Sequence, residues 1–278
     1  MKIDAHQHFW QYNDDDYGWM SGETGILRSN HLPDDLWQAQ KRIGFDGSVA
    51  VQARQTLEET HWLLSLANLE PRIKGVVGWI DLASNKVDIQ LAQFGTHPKL
   101  VGVRHVVQDE PDDEFMLRPE FLEGIRKLKR HNLVYDLLLY EKHLPVAIKV
   151  VRDLPEQTFV LDHISKPLIK DKVLSPWDAN LSELASFPNV SCKLSGMVTE
   201  ADWASWKPED LAPYMDIALE AFGPERLMIG SDWPVCRVAG EYERVMQCTI
   251  DYLKKLSKKE QVLVLGDNCR RIYELNQA

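Results

Sequence analysis

Eight short apolar segments, rich in β-branched residues, alternate along the chain with stretches of helical periodicity. The first opens the chain, and the others are residues 47–52, 73–80, 100–105, 133–139, 158–163, 190–195 and 227–232. Their apolar character is nearly continuous, as in parallel strands that are covered on both faces. Eight such strands interleaved with helices in 278 residues predict one α/β domain over residues 1–278, a (β/α)8 TIM barrel, whose usual size is about 250 residues. The second alternative is an open doubly wound sheet, but no Gly-x-Gly-x-x-Gly follows the first strand.

Composition and charge narrow the range of partners. The formal net charge is −10 and the pI is near 5.4, whereas proteins that bind nucleic acids or anionic membranes usually present a basic surface. No apolar run approaches the ~20 residues of a membrane helix, and the amino terminus lacks the apolar core of a signal peptide. The four cysteines lack Cys-x-x-Cys spacing, which is typical of reduced thiols. We therefore expect a cytoplasmic enzyme or binding protein that acts on or binds a small molecule. The tryptophans in residues 203–206 suit either a lid or a homodimer contact.

Polar side chains finish nearly every predicted strand. In (β/α)8 barrels, catalytic groups lie at the carboxyl ends of the strands. The polar residues at these ends are His6, His8, Gln52, Asp81, Arg104, His105, Asp136, Asp162, His163, Lys193, Ser195, Ser231 and Asp232. A non-catalytic barrel would be expected to lack such groups, so the pattern favours an enzyme.

The pair His6 and His8 is the first candidate for a metal site. Side chains alternate along a strand, so these two imidazoles share a face with Asp4. Together with His163 and Asp232 they could hold one zinc or manganese ion and leave room for a water. The same residues could also hydrolyse an activated ester without a metal, and both cases stay open.

Asp232 is the predicted general base. A carboxylate at the end of an apolar strand loses hydration and needs compensating partners. We expect Asp232 to activate a water near His6, His8 and His163. By strand alternation, only one residue of the pair 162–163 should face the mouth of the barrel.

Substrate contacts are predicted at other strand ends and in a long loop. Of the adjacent residues Arg104 and His105, we expect Arg104 to face inward as a clamp for a carbonyl or anion. The loop 9–33 exceeds the ~15 residues usual in compact domains, which indicates a cover over a pocket. The predicted substrate-binding residues are Arg104, His105, Gln52, Lys193, Trp233 and Trp10.

Four motifs together resemble a known family. They are His6-x-His8, Asp162-His163-x-x-Lys166-Pro167, Lys193-x-Ser195-Gly196 and Gly230-Ser231-Asp232-Trp233-Pro234. In this combination they resemble the amidohydrolase superfamily, and more narrowly its amidohydrolase-2 branch. The resemblance runs from residue 2 to about residue 273.

The resemblance implies a distorted barrel in which the aspartate matching Asp232 deprotonates a water that opens a cyclic ester. The branch includes L-fucono- and L-rhamnono-lactonases and 2-pyrone-4,6-dicarboxylate lactonase, some with one zinc and some without metal. Binuclear members use a lysine carbamate at the end of strand four, where Arg104-His105 stands here. Aromatic walls suit the C–H faces of a sugar ring, so we favour a sugar-acid lactone. The alternatives are the pyrone lactone and a metal-dependent decarboxylation.

Overall fold

The computed structural model describes residues 1–275, and its eight strands form one continuous sheet. The strands are β1 (Ile3–Gln7), β2 (Gly47–Val51), β3 (Ile73–Gly78), β4 (Leu100–Val106), β5 (Val134–Leu138), β6 (Phe159–Leu161), β7 (Val190–Leu194) and β8 (Leu227–Ile229). Their order in the sheet is their order in the chain, and each neighbouring pair is parallel. This arrangement confirms the predicted (β/α)8 barrel.

Helices connect the strands and cover the outside of the barrel. They are α1 (Pro33–Ile43), α2 (Leu57–Leu69), α3 (Val87–Phe94), α4 (Pro119–Leu128), α5 (Leu144–Asp153), α6 (Trp177–Ala185), α7 (Pro208–Phe222), α8 (Tyr242–Leu253), α9 (Lys258–Val262) and α10 (Asn268–Ile272). The ends of α1 show why these segments are helical. Pro33 occupies the first turn, and the Asp35 carboxylate accepts a hydrogen bond from the Leu32 amide at 2.9 Å. Gly44 ends the helix in the left-handed conformation that glycine adopts readily.

The barrel closes between β1 and β8 through two backbone hydrogen bonds, which we call the seam. The Asp232 amide donates to the His6 carbonyl at 2.8 Å, and the His8 amide donates to the Trp233 carbonyl at 2.6 Å. Strands β6 and β8 have three residues each, shorter than the predicted segments 158–163 and 227–232. The polar residues at their ends therefore lie on turns, and the barrel is distorted as expected.

The amino-terminal end of the barrel is filled by apolar side chains and closed by the end of the described chain. Ile3, Val49 and Val77 from the strands pack in one cluster with Ile272 and Tyr273. The predicted helical tail over 258–275 is present as α9 and α10, and it packs back onto the barrel. The carboxyl-terminal segment thus reaches the barrel interior from the side opposite the carboxyl ends of the strands.

Two expectations from composition concern the cysteines and membrane segments. All four cysteines are free and buried, as expected of reduced thiols that pack in the interior. Within residues 1–275, no helix combines the length and the apolarity needed to cross a bilayer.

Candidate active site

The seam brings the predicted catalytic groups together. The Nε2 atoms of His6 and His8 are 3.2 Å apart, and the Oδ1 atom of Asp232 lies 3.8 Å from the first and 3.3 Å from the second. The Nε2 atom of His163 is 3.9 Å from the same oxygen. The chain therefore gathers three imidazoles around one carboxylate oxygen.

The spacing of these atoms fits one divalent metal ion. In a tetrahedral zinc site with bonds of 2.0–2.1 Å, neighbouring donor atoms are roughly 3.3 Å apart. His6, His8 and Asp232 offer donors at about that separation. The Nδ1 atom of His8 donates to the Val51 carbonyl at 2.8 Å, which leaves its Nε2 lone pair directed at the shared space. At 3.2 Å, the Nε2 atoms of His6 and His8 can either share a proton or bind one cation between them.

Burial controls the protonation states of the cluster. It lowers the pKa of His163 to about 4 and the pKa of His6 well below its ordinary value, so both rings are neutral near pH 7. Burial alone would raise the pKa of Asp232, but its contacts with His163, His8 and His6 outweigh burial and hold this pKa below its usual range. Neutral imidazoles beside an ionised carboxylate are the forms that bind metals.

His163 reaches the cluster because β6 ends at Leu161 and the chain then turns sharply. Residues 163–166 all have φ between 46° and 63°, a left-handed turn that costs L-residues roughly 1–2 kcal/mol each. The Trp177 indole of α6 donates to the Ile164 carbonyl at 2.7 Å and helps to hold the turn. His163 lines the cavity, and Asp162 lies behind His6 with its Oδ1 atom 3.3 Å from Nδ1. As alternation predicted, only one residue of the pair lines the cavity, but both residues contact the cluster.

Two glycines allow the imidazoles to approach their neighbours. Gly196 has a φ of 62°, and a Cβ atom there would lie 2.5 Å from Nδ1 of His163. That nitrogen instead contacts the Ser195 hydroxyl at 2.9 Å. A Cβ atom at Gly230 would lie 2.9 Å from Cβ of His6. The glycines of the Ser-Gly and Gly-Ser-Asp motifs are thus required by close packing against the candidate metal ligands.

Arg104 extends from β4 into the cavity, as predicted. Its Nη1 atom donates to Oδ2 of Asp162 at 3.1 Å, and its Nη2 atom donates to Oε1 of Gln52 at 3.0 Å. Gln52 is fully buried and holds the guanidinium from one side. It therefore acts on the cavity through Arg104.

Three other predicted substrate contacts lie outside the cavity wall. Lys193 is fully buried on the far side of His6 from His8, where it pairs with two aspartates. His105 faces away from the cavity as expected from alternation, and its ring stacks on Phe115 with centroids 4.9 Å apart. Trp233 packs into the core among neighbouring aromatic rings. The placements of Lys193 and Trp233 come from depth and a local turn, which alternation along a strand does not encode.

The cluster forms the floor of a cavity of about 660 Å³. The loop 9–33 covers it from one side, as its length indicated, with Trp10 and Trp19 in the wall. The residues that line the cavity are His8, Trp10, Asp15, Asp16, Trp19, Ala53, Arg54, Gln55, Thr56, Arg104, Val106, Gln108, Asp109, Leu138, His163, Lys166, Asp232 and Val235. This is a polar wall with aromatic faces.

Arg54, Gln108 and Asp109 are cavity residues that the sequence analysis missed. Arg54 lies two residues after Gln52 and is paired with Asp16 of the covering loop. Gln108 and Asp109 follow β4 directly. The signal was available, because all three lie in loops that follow the carboxyl ends of strands.

Comparisons with known proteins agree with this geometry. The amidohydrolase family profile matches residues 3–275. An L-fucono-1,5-lactonase from Burkholderia multivorans is 41% identical over 287 aligned residues, covering 99% of this chain and 96% of the relative. A second L-fucono-1,5-lactonase, from Burkholderia ambifaria, is 37% identical and covers 87% of this chain and 83% of the relative.

A solved structure supports both the fold and the metal fit. It is an amidohydrolase from Burkholderia multivorans with bound zinc, which superposes with a TM-score of 0.96 at 40% identity, covering 99% of this chain and 100% of that one. The profile match and the identity over nearly the whole length confirm the hydrolase predicted from the motifs. With its histidines and aspartate gathered at the barrel seam, the chain belongs to the amidohydrolase family, in its amidohydrolase-2 branch.

Proposed function

We propose that this chain hydrolyses a sugar-acid lactone, an aldonolactone such as L-fucono- or L-rhamnono-lactone. The observation that carries the proposal is Oδ1 of Asp232 among three imidazole Nε2 atoms at the floor of an aromatic and polar cavity. Both well-covered Burkholderia relatives are L-fucono-1,5-lactonases. A sugar-lactone hydrolase fits both findings.

The proposed reaction uses Asp232 as the base. Its carboxylate takes a proton from a water whose oxygen bonds to the lactone carbonyl carbon. The ring C–O bond then breaks, and the same proton passes to the departing ring oxygen, which gives an open-chain hydroxy acid. His163, held by Ser195, presents its Nε2 atom to this carboxylate and orients it.

His6, His8 and Asp232 would hold one divalent ion, and His163 lies beside them, with its Nε2 atom 3.9 Å from Oδ1 of Asp232. When bound, such an ion acts as a Lewis acid that polarises the carbonyl and makes a water more acidic. Arg104 stands beside these ligands, with Nη1 3.3 Å from Nε2 of His6, where it can bind a substrate oxygen.

The cavity wall suits a ring with several hydroxyl groups. Trp19 is half-exposed and offers a flat face to C–H groups, with Trp10 buried in the wall beside it, and Asp15, Gln108 and Asp109 offer hydrogen-bond acceptors. Oε1 of Gln108 is buried and has no partner among the described residues, so it is available to a hydroxyl donor.

The test is acid release from a panel of five- and six-membered aldonolactones, before and after treatment with a chelator. We expect rapid hydrolysis of one stereochemical subset and loss of the rate with the chelator. Asp232→Asn should lower kcat by several orders of magnitude with the fold intact. The matched control is Asp88→Asn, an exposed carboxylate on α3, which should keep the full rate.

Two results would contradict the proposal. An Asp232→Asn enzyme with most of its rate would remove this aspartate as the base. The second is the absence of hydrolysis of every aldonolactone together with hydrolysis of a 2-pyrone dicarboxylate or decarboxylation of a dihydroxybenzoate. That result would show that the substrate class is a different one.

A further inference from the structure

A chain of buried polar groups connects the carboxyl-terminal segment to the candidate metal site. The Tyr273 hydroxyl lies 2.8 Å and 2.7 Å from the two carboxylate oxygens of Asp136. Oδ2 of Asp136 accepts from Nζ of Lys193 at 2.6 Å, and the same ammonium is 2.9 Å from Oδ1 of Asp162. That oxygen is 3.3 Å from Nδ1 of His6. The connection therefore runs from residue 273 to a candidate ligand in four contacts.

Lys193 is the centre of this chain, and its burial is unusual. Its side chain and those of Asp136 and Asp162 have no exposed surface. An ammonium in such a place must be fully paired, and the two aspartates supply the opposite charge. With Arg104 on Asp162, two cations balance two anions behind His6.

Stability alone does not account for these charges. A buried ion pair adds little to the stability of a fold, and apolar side chains of similar volume often do as well or better. Tyr273 belongs to an apolar cluster of this kind, together with Val49, Val77 and Val101. The polar chain crosses that layer where apolar packing was available.

The chain ends on the nitrogen that sets the orientation of His6. Nδ1 of this ring faces Asp162 at 3.3 Å and Lys193 at 3.2 Å. Binding of a metal ion through Nε2 places the ring proton on Nδ1, and Oδ1 of Asp162, which has no hydrogen-bond partner among the described residues, lies within reach as its acceptor. The opposite nitrogen, Nε2, then presents its lone pair to the space shared with His8 and Asp232, as a metal ligand must.

We propose that Tyr273, Asp136 and Lys193 are positioning residues for His6, and that, together with Asp162, they hold its ring in the orientation that binds the metal ion. The inference rests on the proposed role of His6 as a metal ligand. It gives Lys193 a structural partner in place of the substrate, and it makes the carboxyl-terminal segment part of the active site.

The test measures zinc affinity by competition with a chromophoric chelator, on metal-depleted full-length protein. Tyr273→Phe keeps the ring and removes only the hydroxyl. Asp136→Asn keeps the shape and removes the charge that holds Lys193. Groups behind a metal ligand typically contribute 10–100-fold to affinity, so we expect the zinc Kd to rise about 10-fold in the first variant and about 100-fold in the second.

The matched control is Tyr214→Phe. The Tyr214 hydroxyl donates to the backbone carbonyls of Leu168 and Val173, away from the barrel interior. Its loss should lower the melting temperature about as much as Tyr273→Phe does and leave the zinc Kd unchanged. If Asp136→Asn fails to fold, the zinc Kd of Tyr273→Phe alone tests the proposal.

Two outcomes would overturn the inference. In the first, the zinc Kd of Tyr273→Phe stays within twofold of the parent protein and the melting temperature alone falls. In the second, the parent protein binds no zinc. Failure to hydrolyse lactones, with the expected zinc affinities, would refute the proposed function and leave this inference standing.

Discussion

Replacing Gly196 with alanine should displace the His163 ring and slow the reaction. The new Cβ atom would lie 2.5 Å from Nδ1, whereas ordinary contacts begin at 3.4 Å, so the ring must move by about 1 Å. The movement breaks the 2.9 Å contact with the Ser195 hydroxyl and shifts Nε2 relative to Asp232. A displacement of this size typically costs about 100-fold in rate, equivalent to about 2.7 kcal/mol in the barrier.

The same substitution also strains the backbone, and a matched control separates the two effects. Alanine at a φ of 62° costs about 1 kcal/mol in folding free energy relative to glycine. Gly44, with a φ of 73° and its nearest neighbour at 4.0 Å, gives an alanine variant with the same strain and no collision. We expect the strain to lower the melting temperature of both variants by about 2 °C, and only Gly196→Ala, which also has the collision, to lose kcat. A Gly196→Ala enzyme within threefold of the parent kcat would refute the role given to His163.

Two further predictions concern Arg104 and His31. The lysine of Arg104→Lys cannot hold Asp162 and Gln52 together, because a single ammonium lacks the planar fork of a guanidinium. The value of kcat/KM for the lactone should therefore fall 10–100-fold. An unchanged kcat/KM would contradict this. Burial lowers the pKa of His31 to about 4, below the 6.5 of the unfolded chain, so the unfolded state gains the proton first. The stability from this group is complete above pH 6.5 and is lost as the pH falls towards 4, by about 3 kcal/mol. His31→Gln should flatten this acid limb in urea unfolding at pH 7.5 and 4.5, and an equally steep limb would contradict the assignment.

The barrel and its catalytic edge could be predicted from the sequence because both follow from local patterns. Continuous apolar segments at regular spacing identify parallel strands, and each segment ends in a side chain that parallel strands bring to one edge. That rule predicts His6, His8, His163 and Asp232 at one edge, and the structure brings their side chains together there. The cytoplasmic location and the homodimer stay predictions.

Side-chain depth and partners could not be predicted in the same way. Alternation places Lys193 inside the barrel but does not say whether it reaches the cavity or stops behind His6. Its partner Asp136 lies 57 residues away, and Tyr273 lies 137 residues from that aspartate. Such pairs form only when the barrel closes. The left-handed turn at 163–166 was also hidden, because its residues are not glycine and carry no turn signal.

The seam joins the first and last strands of the barrel at the candidate metal site. His8 and Asp232 are 224 residues apart in sequence, yet their side chains meet at 3.3 Å. A ligand bound between them acts as a cross-link that closes almost the whole chain into a loop, much as a disulfide would. At 100 times its Kd it adds about 2.7 kcal/mol to the folding free energy. Binding of a ligand at this site therefore also stabilises the closed barrel. The resistance of the protein to unfolding then reports the fraction of molecules whose active site is occupied.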